Sequence, residues 1–305
     1  MRAFQRLAAR LLTTLAALVL GVNPALAQSI LRDAETEALF RDMAEPIVKA
    51  AGLDPRNVDV VLVNDMSVNA FVAGGQVVYL NAGLINEATS ANEVQGVIAH
   101  ELGHVTGGHV INDTGGKAAS NISILSLLLG VAAAAAGAGD AAMGVLMAGQ
   151  QAALGKYLAY SRSQESAADA AGAQHLSAAG ISGRGSISFF KKLQNMEFRY
   201  GFTRTLDSEF YSTHPITGDR IATLEDTYSR DPAWNRPADP ALEARFQRTK
   251  AKLFGYLATP ADTLRVYPVT MTDIPARYAR AYSWHKDGFL DKAMAESDAL
   301  LAAAP

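Results

Sequence analysis

Apolar residues recur at intervals of three and four along much of the chain, the spacing of helices with one buried face. The first such segment runs from Ser29 to Ala51, where Pro46 predicts a kink or a division. Two short β-branched runs, Asp59 to Val63 and Gln76 to Leu80, predict neighbouring strands of a small sheet. Further helices are predicted near residues 90–109, 156–178, 185–199, 215–229 and 242–257. The pattern therefore predicts an α+β fold that is mainly helical.

Residues Ile122 to Gly149 are almost free of charge, with Asp140 as the one ionisable side chain. Only the part up to Val131 is strongly apolar, and the alanines and glycines after it favour lipid over water very little. We therefore predict a helical hairpin that packs on the protein or lies against a membrane surface. A transmembrane helix, which needs about 20 apolar residues, is the alternative.

The C-terminal segment 274–305 resembles one tetratricopeptide unit, a helix-turn-helix repeat of about 34 residues. The residues that fit this pattern are small, aromatic or turn-forming: Ala281, Trp284, Gly288, Ala293 and Pro305. Arg277 and Ser297 depart from it, and an ordinary helix pair is the alternative. Because one unit cannot bury its own apolar face, the repeat interpretation predicts further repeats after Pro305 and protein partners that dock on this tail.

The first 27 residues have the pattern of a secretory signal. Spaced arginines precede the apolar run Leu11 to Val22, and Ala25-Leu26-Ala27 offers a cleavage site before Gln28. An uncleaved membrane anchor is the alternative, but the run is short and Asn23-Pro24 breaks it. The sequence thus predicts export to the periplasm, as a soluble protein or as one peripheral to a membrane of a bacterial envelope.

Composition narrows the function classes. The 305 residues are 49% hydrophobic and 19% charged, which suits a folded protein with an ample core. The formal net charge of −3 gives no reason to expect nucleic acid as a partner. The chain contains no cysteine, which excludes both a disulfide framework and a lipid-modified cysteine.

The strongest chemical signal is the sequence His100-Glu101-Leu102-Gly103-His104, within the helix predicted near residues 90–109. Residues four apart lie on one face of a helix, so that His100 and His104 can bind one metal ion. Zinc binds imidazole nitrogen readily, and a catalytic zinc site has three protein ligands and a place for water. Glu101 can reach that water without binding the metal. The motif predicts one Zn²⁺ and a third protein ligand elsewhere in the chain.

Two groups of residues compete for the position of third ligand. His109 lies nine residues after His100, whereas the metzincin pattern requires a histidine ten residues on, where Val110 stands. Glu165 and Asp169 are four apart and share a helix face, so that one can bind zinc while the other accepts a hydrogen bond from a ligand imidazole. We favour this acidic pair and expect a structural role for His109 beside the zinc helix.

The pairing of His-Glu-Leu-Gly-His with Glu165-Ser-Ala-Ala-Asp169 resembles the zinc peptidases that include the CAAX prenyl proteases, HtpX and the mitochondrial OMA-type enzymes. The chain most resembles the periplasmic BepA-type branch, gluzincins that join a signal peptide, a protease domain and C-terminal tetratricopeptide repeats. Further segments share in the resemblance: Asn69-Ala70-Phe71, Gly74-Gly75, Thr89 to Glu93, Thr213-His214-Pro215 and Asp219-Arg220. It implies a signal peptide (1–27), a gluzincin-type metalloprotease domain with a small β-sheet (28–230), a linker and helix (231–273) and the start of a tetratricopeptide-like helical tail (274–305).

The resemblance also implies roles for single residues. Glu165 is expected to be the third zinc ligand, supported by Asp169. His214 is expected near the metal, either as a fourth ligand that closes the site or as a group that stabilises the oxyanion; a helix-cap histidine is the alternative. From its chemistry alone, Arg220 is expected to donate to the substrate or the intermediate, since its guanidinium stays charged. Ala167 departs from the BepA-type pattern, which often has a second acidic residue at this supporting position.

These interpretations predict a zinc endopeptidase that hydrolyses misfolded or unassembled outer-membrane and periplasmic proteins. An extended substrate is expected to pair with the second predicted strand, whose residues are Gln76, Val77, Val78, Tyr79 and Leu80. A chaperone or assembly factor with a latent zinc site is the alternative. The intact Glu101 argues for catalysis, because a pure binding protein does not need that carboxylate.

Overall fold

The structure, a computed structural model, describes residues 30–109, 114–200 and 214–303, and the predicted signal segment lies outside these ranges. The strands are β1 (Asp59–Val63), β2 (Ala70–Ala73) and β3 (Val77–Asn81). The helices up to residue 200 are α1 (Ala34–Ala50), α2 (Ala82–Glu87), α3 (Ala91–Thr106), α4 (Thr114–Ala135), α5 (Gly139–Ala179) and α6 (Arg184–Tyr200). They are followed by α7 (Gly218–Ser229), α8 (Pro240–Leu257), α9 (Pro260–Val266), α10 (Ile274–Lys286) and α11 (Leu290–Ala303). The predicted α+β, mainly helical fold is confirmed.

The sheet has the strand order β1-β3-β2, with β3 parallel to β1 and antiparallel to β2. The predicted pairing of the two β-branched runs is confirmed. Strand β2 was not predicted, because it has four residues and lies in the segment that was interpreted as their connection. The sheet is therefore one strand larger than the sequence indicates.

The position of β3 corrects the expectation for substrate binding. Strand β3 has a neighbour on each side, so that the backbone groups of residues 77–80 bond within the sheet. An added peptide strand needs an edge with unpaired N–H and C=O groups. Such an edge belongs to β2, on whose outer side no strand of the described residues pairs.

Helix α3, which carries the histidine motif, is buried along almost its whole length. Its start is fixed by side chains: the Ser90 hydroxyl accepts a hydrogen bond from the Glu93 N–H at 3.2 Å, and the Glu93 carboxylate accepts one from the Thr89 N–H at 2.7 Å. Lys192 of α6 lies 2.7 Å from the buried Glu93 carboxylate and neutralises it. The apolar face of α3 packs in the core against α1, α6 and the sheet.

Helices α3 and α5 cross at very close range. A Cβ atom at Gly103 would lie 2.4 Å from the carbonyl oxygen of Ala168, and one at Gly172 would lie 2.9 Å from that of Ala99. Only glycine permits this approach at both positions. The crossing places the acidic pair of α5 opposite the histidines of α3.

Helices α4 and α5 form the hairpin that the sequence predicts for residues 122–149. Its second helix does not end there, because α5 continues as one helix of 41 residues and includes the helix predicted separately from residue 156. The hairpin does not bury its apolar side chains on the protein, since Leu125, Leu128 and Leu129 are exposed. Residues Gly116–Ala135 form a helix long and apolar enough to cross a membrane, judged by length and composition.

The helices after residue 230 extend the fold. Phe246 and Leu253 of α8 are buried in the same core as the sheet and α3. Helix α9 lies in the region predicted as a linker and helix (231–273), and the Thr259 hydroxyl caps it by accepting a hydrogen bond from the Asp262 N–H at 3.2 Å. Helices α10 and α11 form the predicted helix pair, and its interpretation as a tetratricopeptide unit stays a prediction.

Candidate metal centre and active site

Four buried side chains from three parts of the chain converge on one point. His100 and His104 come from successive turns of α3, Glu165 comes from α5, and His214 precedes α7. One donor atom from each can be chosen such that all four lie within 4.8 Å of one another. The cluster contains the three predicted metal ligands together with the histidine whose role the sequence left open.

The spacing of the donor atoms fits a tetrahedral metal ion. The Nε2 atoms of His100 and His104 are 3.2 Å apart, and His100 Nε2 lies 3.4 Å from Nδ1 of His214. The Glu165 carboxylate lies 3.4 Å from His100 Nε2, 3.3 Å from His104 Nε2 and 3.1 Å from His214 Nδ1. Two ligands of a tetrahedral zinc ion, at bond lengths of 2.0–2.1 Å, are separated by about 3.3 Å. These residues therefore fit zinc with His214 as a fourth ligand.

Asp169 orients His100. Its carboxylate lies 2.9 Å from Nδ1 of His100, so that this nitrogen donates to Asp169 and Nε2 is left facing the cluster. Asp169 also accepts two hydrogen bonds from Arg220, at 2.7 Å from Nε and 2.8 Å from Nη2. The role predicted for the second acid of the pair agrees with this geometry.

The guanidinium of Arg220 bonds to the acids of the cluster and to the backbone, and these bonds argue against the prediction that it donates to the substrate or the intermediate. Its side chain is 8% exposed and bonds to Asp169 on one side. Its Nη1 donates to the carbonyl oxygen of Pro215 at 2.7 Å and lies 3.1 Å from the Glu165 carboxylate. Arg220 thus holds the acids and the backbone next to His214 in place.

Helix α7 begins later than the sequence predicts. The predicted start was Pro215, whereas the first helical residue is Gly218. The Thr217 hydroxyl accepts a hydrogen bond from the Arg220 N–H at 3.2 Å and caps the helix there. His214 therefore lies in a non-helical segment that precedes the cap, with its side chain directed into the cluster.

Charge compensation keeps both acids of the cluster ionised. Burial disfavours the charge on Glu165, but hydrogen bonds with His100, His104 and His214 outweigh it and hold the pKa of Glu165 well below its usual range. Burial likewise opposes the charge on Asp169, and the bonds from Arg220 and His100 lower its pKa. Burial also opposes the charge on His100, yet its bonds to Asp169 and Glu165 raise its pKa to about 10. A metal ion at this point would displace the proton from Nε2 of His100, and the charged carboxylates would then compensate the charge of the ion.

The carboxylate of Glu101 lies beside the cluster and is buried. The residue is 1% exposed, and neither carboxylate oxygen has a hydrogen-bond partner among the described residues. Its Oε1 is 3.6 Å from Nε2 of His214. Burying such a group without a partner is unfavourable. We interpret the arrangement as a functional one, in which water or a substrate meets this carboxylate.

A cavity of about 300 Å³ opens over Glu101 and the metal cluster. The edge strand β2 provides one wall and α5 provides the opposite one. Its lining includes residues that the sequence did not indicate: Phe71, Val72, Tyr157, Tyr160 and Gln164. Tyr157, Tyr160 and Gln164 follow one another at intervals of three and four residues on the helix that carries Glu165, and this spacing is the signal by which they could have been found.

His109 has the structural role that the sequence predicts. Its Nδ1 lies 2.8 Å from Nδ1 of His104, so that the second nitrogen of His104 faces the cluster. His109 also lines the cavity, but it is not one of the four donors.

Comparison with known proteins supports the interpretation of the four-donor cluster as a metal centre. The model of peptidase family M48 matches residues 31–228, about two-thirds of the chain. A protein of Vibrio cholerae serotype O1, whose name refers to a beta-barrel assembly-enhancing protease, is 30% identical over 197 residues, 64% of this chain and 39% of its own. Metalloprotease LoiP of Escherichia coli K12 is 32% identical over 180 residues, 58% of this chain and 64% of its own.

A mitochondrial relative shows how widely the similarity extends. Metalloendopeptidase OMA1 of Bos taurus is 26% identical over 208 residues, 67% of this chain and 38% of its own. The chain thus spans less than two-thirds of the length of each of these relatives. The matched region contains all four donors, Glu101 and the supporting pair of Asp169 and Arg220. The chain belongs to peptidase family M48.

Proposed function

We propose that this protein is a zinc-dependent endopeptidase that hydrolyses peptide bonds in misfolded or unassembled proteins of a bacterial envelope. The observation that carries the proposal is the group of four donors next to the buried carboxylate of Glu101, which makes no hydrogen bond to another described residue. A binding protein would gain nothing from burying that carboxylate, whereas a hydrolase needs a base at this position.

The chain's own groups divide the work of hydrolysis. His100, His104 and Glu165 hold the metal, and bound zinc would supply a Lewis acid and a water of lowered pKa. Glu101 accepts the proton of the attacking water and passes it to the leaving amine. Asp169 keeps Nε2 of His100 directed at the metal position, since it accepts a hydrogen bond from the N–H group at Nδ1.

The edge strand β2 is the surface that we assign to the substrate. Phe71 and Val72 of this strand line the cavity together with Glu101. An extended peptide that pairs with the outer side of β2 would lie across the cavity and present its backbone to the site. Since such pairing depends on backbone groups, the enzyme would accept many sequences, as a peptidase that acts on misfolded chains must.

His214 closes the site in this proposal. A catalytic zinc site leaves one position for water, but Nδ1 of His214 lies where a fourth ligand would bind. Hydrolysis then requires that His214 moves away, and a partner docked on the helical tail is one way to move it. The alternative role, stabilisation of the oxyanion, rests on the proximity of His214 to Glu101.

Different observations support the proposed location and the proposed substrates. The first residues have the pattern of a secretory signal, and the name of the Vibrio cholerae relative refers to beta-barrel assembly. Periplasmic export and action on outer-membrane or periplasmic proteins agree with both observations. A chaperone or assembly factor with a latent zinc site is the second candidate, favoured by the position of His214.

Removal and restoration of the metal test the proposal. The purified protein is expected to contain one zinc ion per chain and to cleave casein, a loosely folded substrate. Chelation should abolish cleavage and added zinc should restore it. Cleavage that survives removal of the metal would contradict the proposal. A zinc-loaded protein that suppresses aggregation of an unfolded protein and never cleaves it, even with His214→Ala, would favour the chaperone.

A further inference from the structure

The hairpin of α4 and α5 carries its large apolar side chains on the outside. We call residues 117–156 the arm. Its apolar side chains that are between 53% and 69% exposed are Ile124, Leu125, Leu127, Leu128, Leu129, Val131, Met143 and Met147. The buried positions between its two helices are small instead: Ser126, Gly130, Ala142 and Ala153. In water the reverse arrangement is favoured, with leucine inside and serine outside.

The two helices of the arm touch through small residues. A Cβ atom at Gly149 would lie 2.0 Å from Cβ of Ser126, and one at Gly130 would lie 2.7 Å from Cγ of Leu146. Helices pack in this way in lipid, where burying leucine between them brings no gain and close backbone approach brings more contact. The exposed leucines of the arm are therefore not needed for the packing between its two helices. They remain available to an apolar environment outside the protein.

Charges mark the two ends of the arm. Asp140 lies at the turn between the helices and is the one charged residue between Lys117 and Lys156. The contacts of Ser126 with Gly149 and of Gly130 with Leu146 set the pairing of the helices, which places Lys117 within about one turn of Lys156. Both lysines and Arg162 are exposed. The base of the arm is thus positively charged.

A positive base beneath an apolar arm is complementary to an anionic membrane surface. Lysine and arginine bind lipid phosphates, and tyrosine favours the headgroup layer. Tyr157, 48% exposed, follows Lys156 directly. From Lys117 to Ala135 the helix is about 27 Å long, close to the thickness of about 30 Å of the hydrocarbon layer. The arm is long enough for Asp140 to reach the far headgroups.

We propose that the arm inserts lengthwise into a lipid bilayer that contains anionic lipid, with Lys117, Lys156 and Tyr157 at the surface. This inference is independent of the metal site and of the proposed peptidase activity. It identifies lipid as the phase that covers the exposed leucines. A second copy of the chain would be the other occupant, and the experiment separates the two.

Vesicle flotation tests the proposal on the chain from Gln28 onwards, since the apolar run Leu11 to Val22 would itself bind lipid. The triple variant Leu125→Ser, Leu128→Ser, Leu129→Ser changes exposed side chains only, so that its fold and its zinc content should be unchanged. The matched control is Leu290→Ser, Met294→Ser, Leu301→Ser, whose side chains are as exposed but lie on α11. The vesicles contain phosphatidylethanolamine and phosphatidylglycerol.

We expect the parent chain and the control to float with the vesicles, and the partition of the arm variant to fall more than about tenfold because three leucines no longer enter lipid. Replacing phosphatidylglycerol by phosphatidylcholine should weaken binding, since the base is positive. A parent chain that stays with the soluble fraction, or an arm variant that floats equally well, would overturn the proposal. A lipid-free dimer that the arm variant abolishes, without flotation of the parent, would assign the leucines to a second copy.

A dye on a single cysteine gives a second, local measurement, because the chain has no cysteine of its own. An environment-sensitive dye on Val131→Cys should shift to the blue and brighten when vesicles are added. The same dye on Ser229→Cys, at an exposed position of α7, should not respond. An unchanged spectrum at position 131 contradicts insertion even if the protein floats.

Discussion

At the scale of single residues, the geometry gives each nitrogen of His100 a separate task. One donates to Asp169 and the other faces the metal position, and Arg220 fixes Asp169 in turn. A ligand whose tautomer and orientation are fixed in this way binds metal more tightly than a free imidazole.

Asp169→Asn tests that support. An amide can still accept one hydrogen bond but removes the charge, and loss of such a partner costs about 10–100-fold in metal affinity. Competition with a chelator of known affinity measures the change. Asp219→Asn is the matched control, because Asp219 is exposed in the first turn of α7. Equal zinc affinity in the two variants would mean that Asp169 does not support the metal.

His214→Ala tests whether this histidine closes the site. If His214 keeps the open state to about 10% of the molecules or less, its removal should raise cleavage of casein by about tenfold or more. Zinc content should stay at one ion per chain, since three ligands remain. Unchanged activity would argue against closure, and a loss of activity would assign His214 to the intermediate instead.

At the residue scale, the sequence predicts most where one helix carries the whole signal. His100, Glu101 and His104 follow from a five-residue motif, and the spacing of Glu165 and Asp169 marks a common face. The bonding partners of Arg220 could not be predicted from the sequence, for a physical reason. Which groups a guanidinium bonds depends on the packing of α5 against α7, and no periodicity within α7 records that packing.

At the scale of elements, the strand that meets the site was the one that sequence did not predict. Strand β2 is four residues long and has no alternation strong enough to separate it from a turn. The long β-branched runs were correctly predicted as strands, but one of them, β3, is the central strand of the sheet, and this position removes it from substrate binding. Strong β propensity and an accessible edge are therefore different properties.

A buried lysine joins the first helix to the later ones. Lys252 of α8 is almost fully buried and lies 2.5 Å from the carboxylate of Asp33 and 2.8 Å from that of Glu35, at the start of α1. Tyr278 of α10 donates to Glu35 at 2.9 Å. Burial raises the pKa of both acids, but the bonds from Lys252 outweigh it and lower both pKa values. The cluster thus ties α8 and α10 to the start of the domain.

This cluster predicts an acid-sensitive contribution to stability. The folded pKa values lie below the unfolded ones, so that the stabilisation is complete above about pH 4.5 and is lost as the pH falls through the folded values. Lys252→Met should lower the free energy of unfolding by about 2 kcal/mol at neutral pH, since Asp33 loses its lysine partner and Glu35 keeps only Arg248 and Tyr278.

Urea denaturation at neutral pH and near pH 3 measures the effect. The difference between the parent chain and Lys252→Met should shrink in acid, because the protonated acids no longer need the lysine. Lys49→Met, which removes an exposed pair with Glu45, should change stability by less than about 0.5 kcal/mol at either pH. A difference for Lys252→Met that is equal at both pH values would contradict the pKa assignment.

At the scale of the whole molecule, the metal site and the arm share helix α5. Metal binding and the proposed membrane insertion are nevertheless separable. The sequence predicted the hairpin, but it left open whether the hairpin packs on the protein or meets a membrane. Hydropathy alone could not decide this, because the same leucines would suit a buried core. The deciding fact is which side chains the two helices turn towards each other.

Shortening the arm should abolish membrane binding and leave the metal site intact. In this variant a short glycine loop replaces residues 125–150. The loop joins the two helices at positions that lie opposite each other. Glu165 is about 21 Å along the helix from that junction, so that zinc content and casein cleavage in solution should stay within about twofold of the parent. Flotation with anionic vesicles should be lost. Loss of zinc together with flotation would show that the arm is part of the folded core.

The central claim is that Glu101 performs acid–base chemistry beside a metal held by His100, His104 and Glu165. The most direct test compares casein cleavage by the zinc-loaded parent and by Glu101→Gln, each also in the His214→Ala background, with zinc content measured on the same samples. We predict one zinc ion per chain throughout and a fall in cleavage of at least about 100-fold in Glu101→Gln, the contribution of a positioned general base. A zinc-loaded Glu101→Gln that cleaves as fast as the parent would contradict the account.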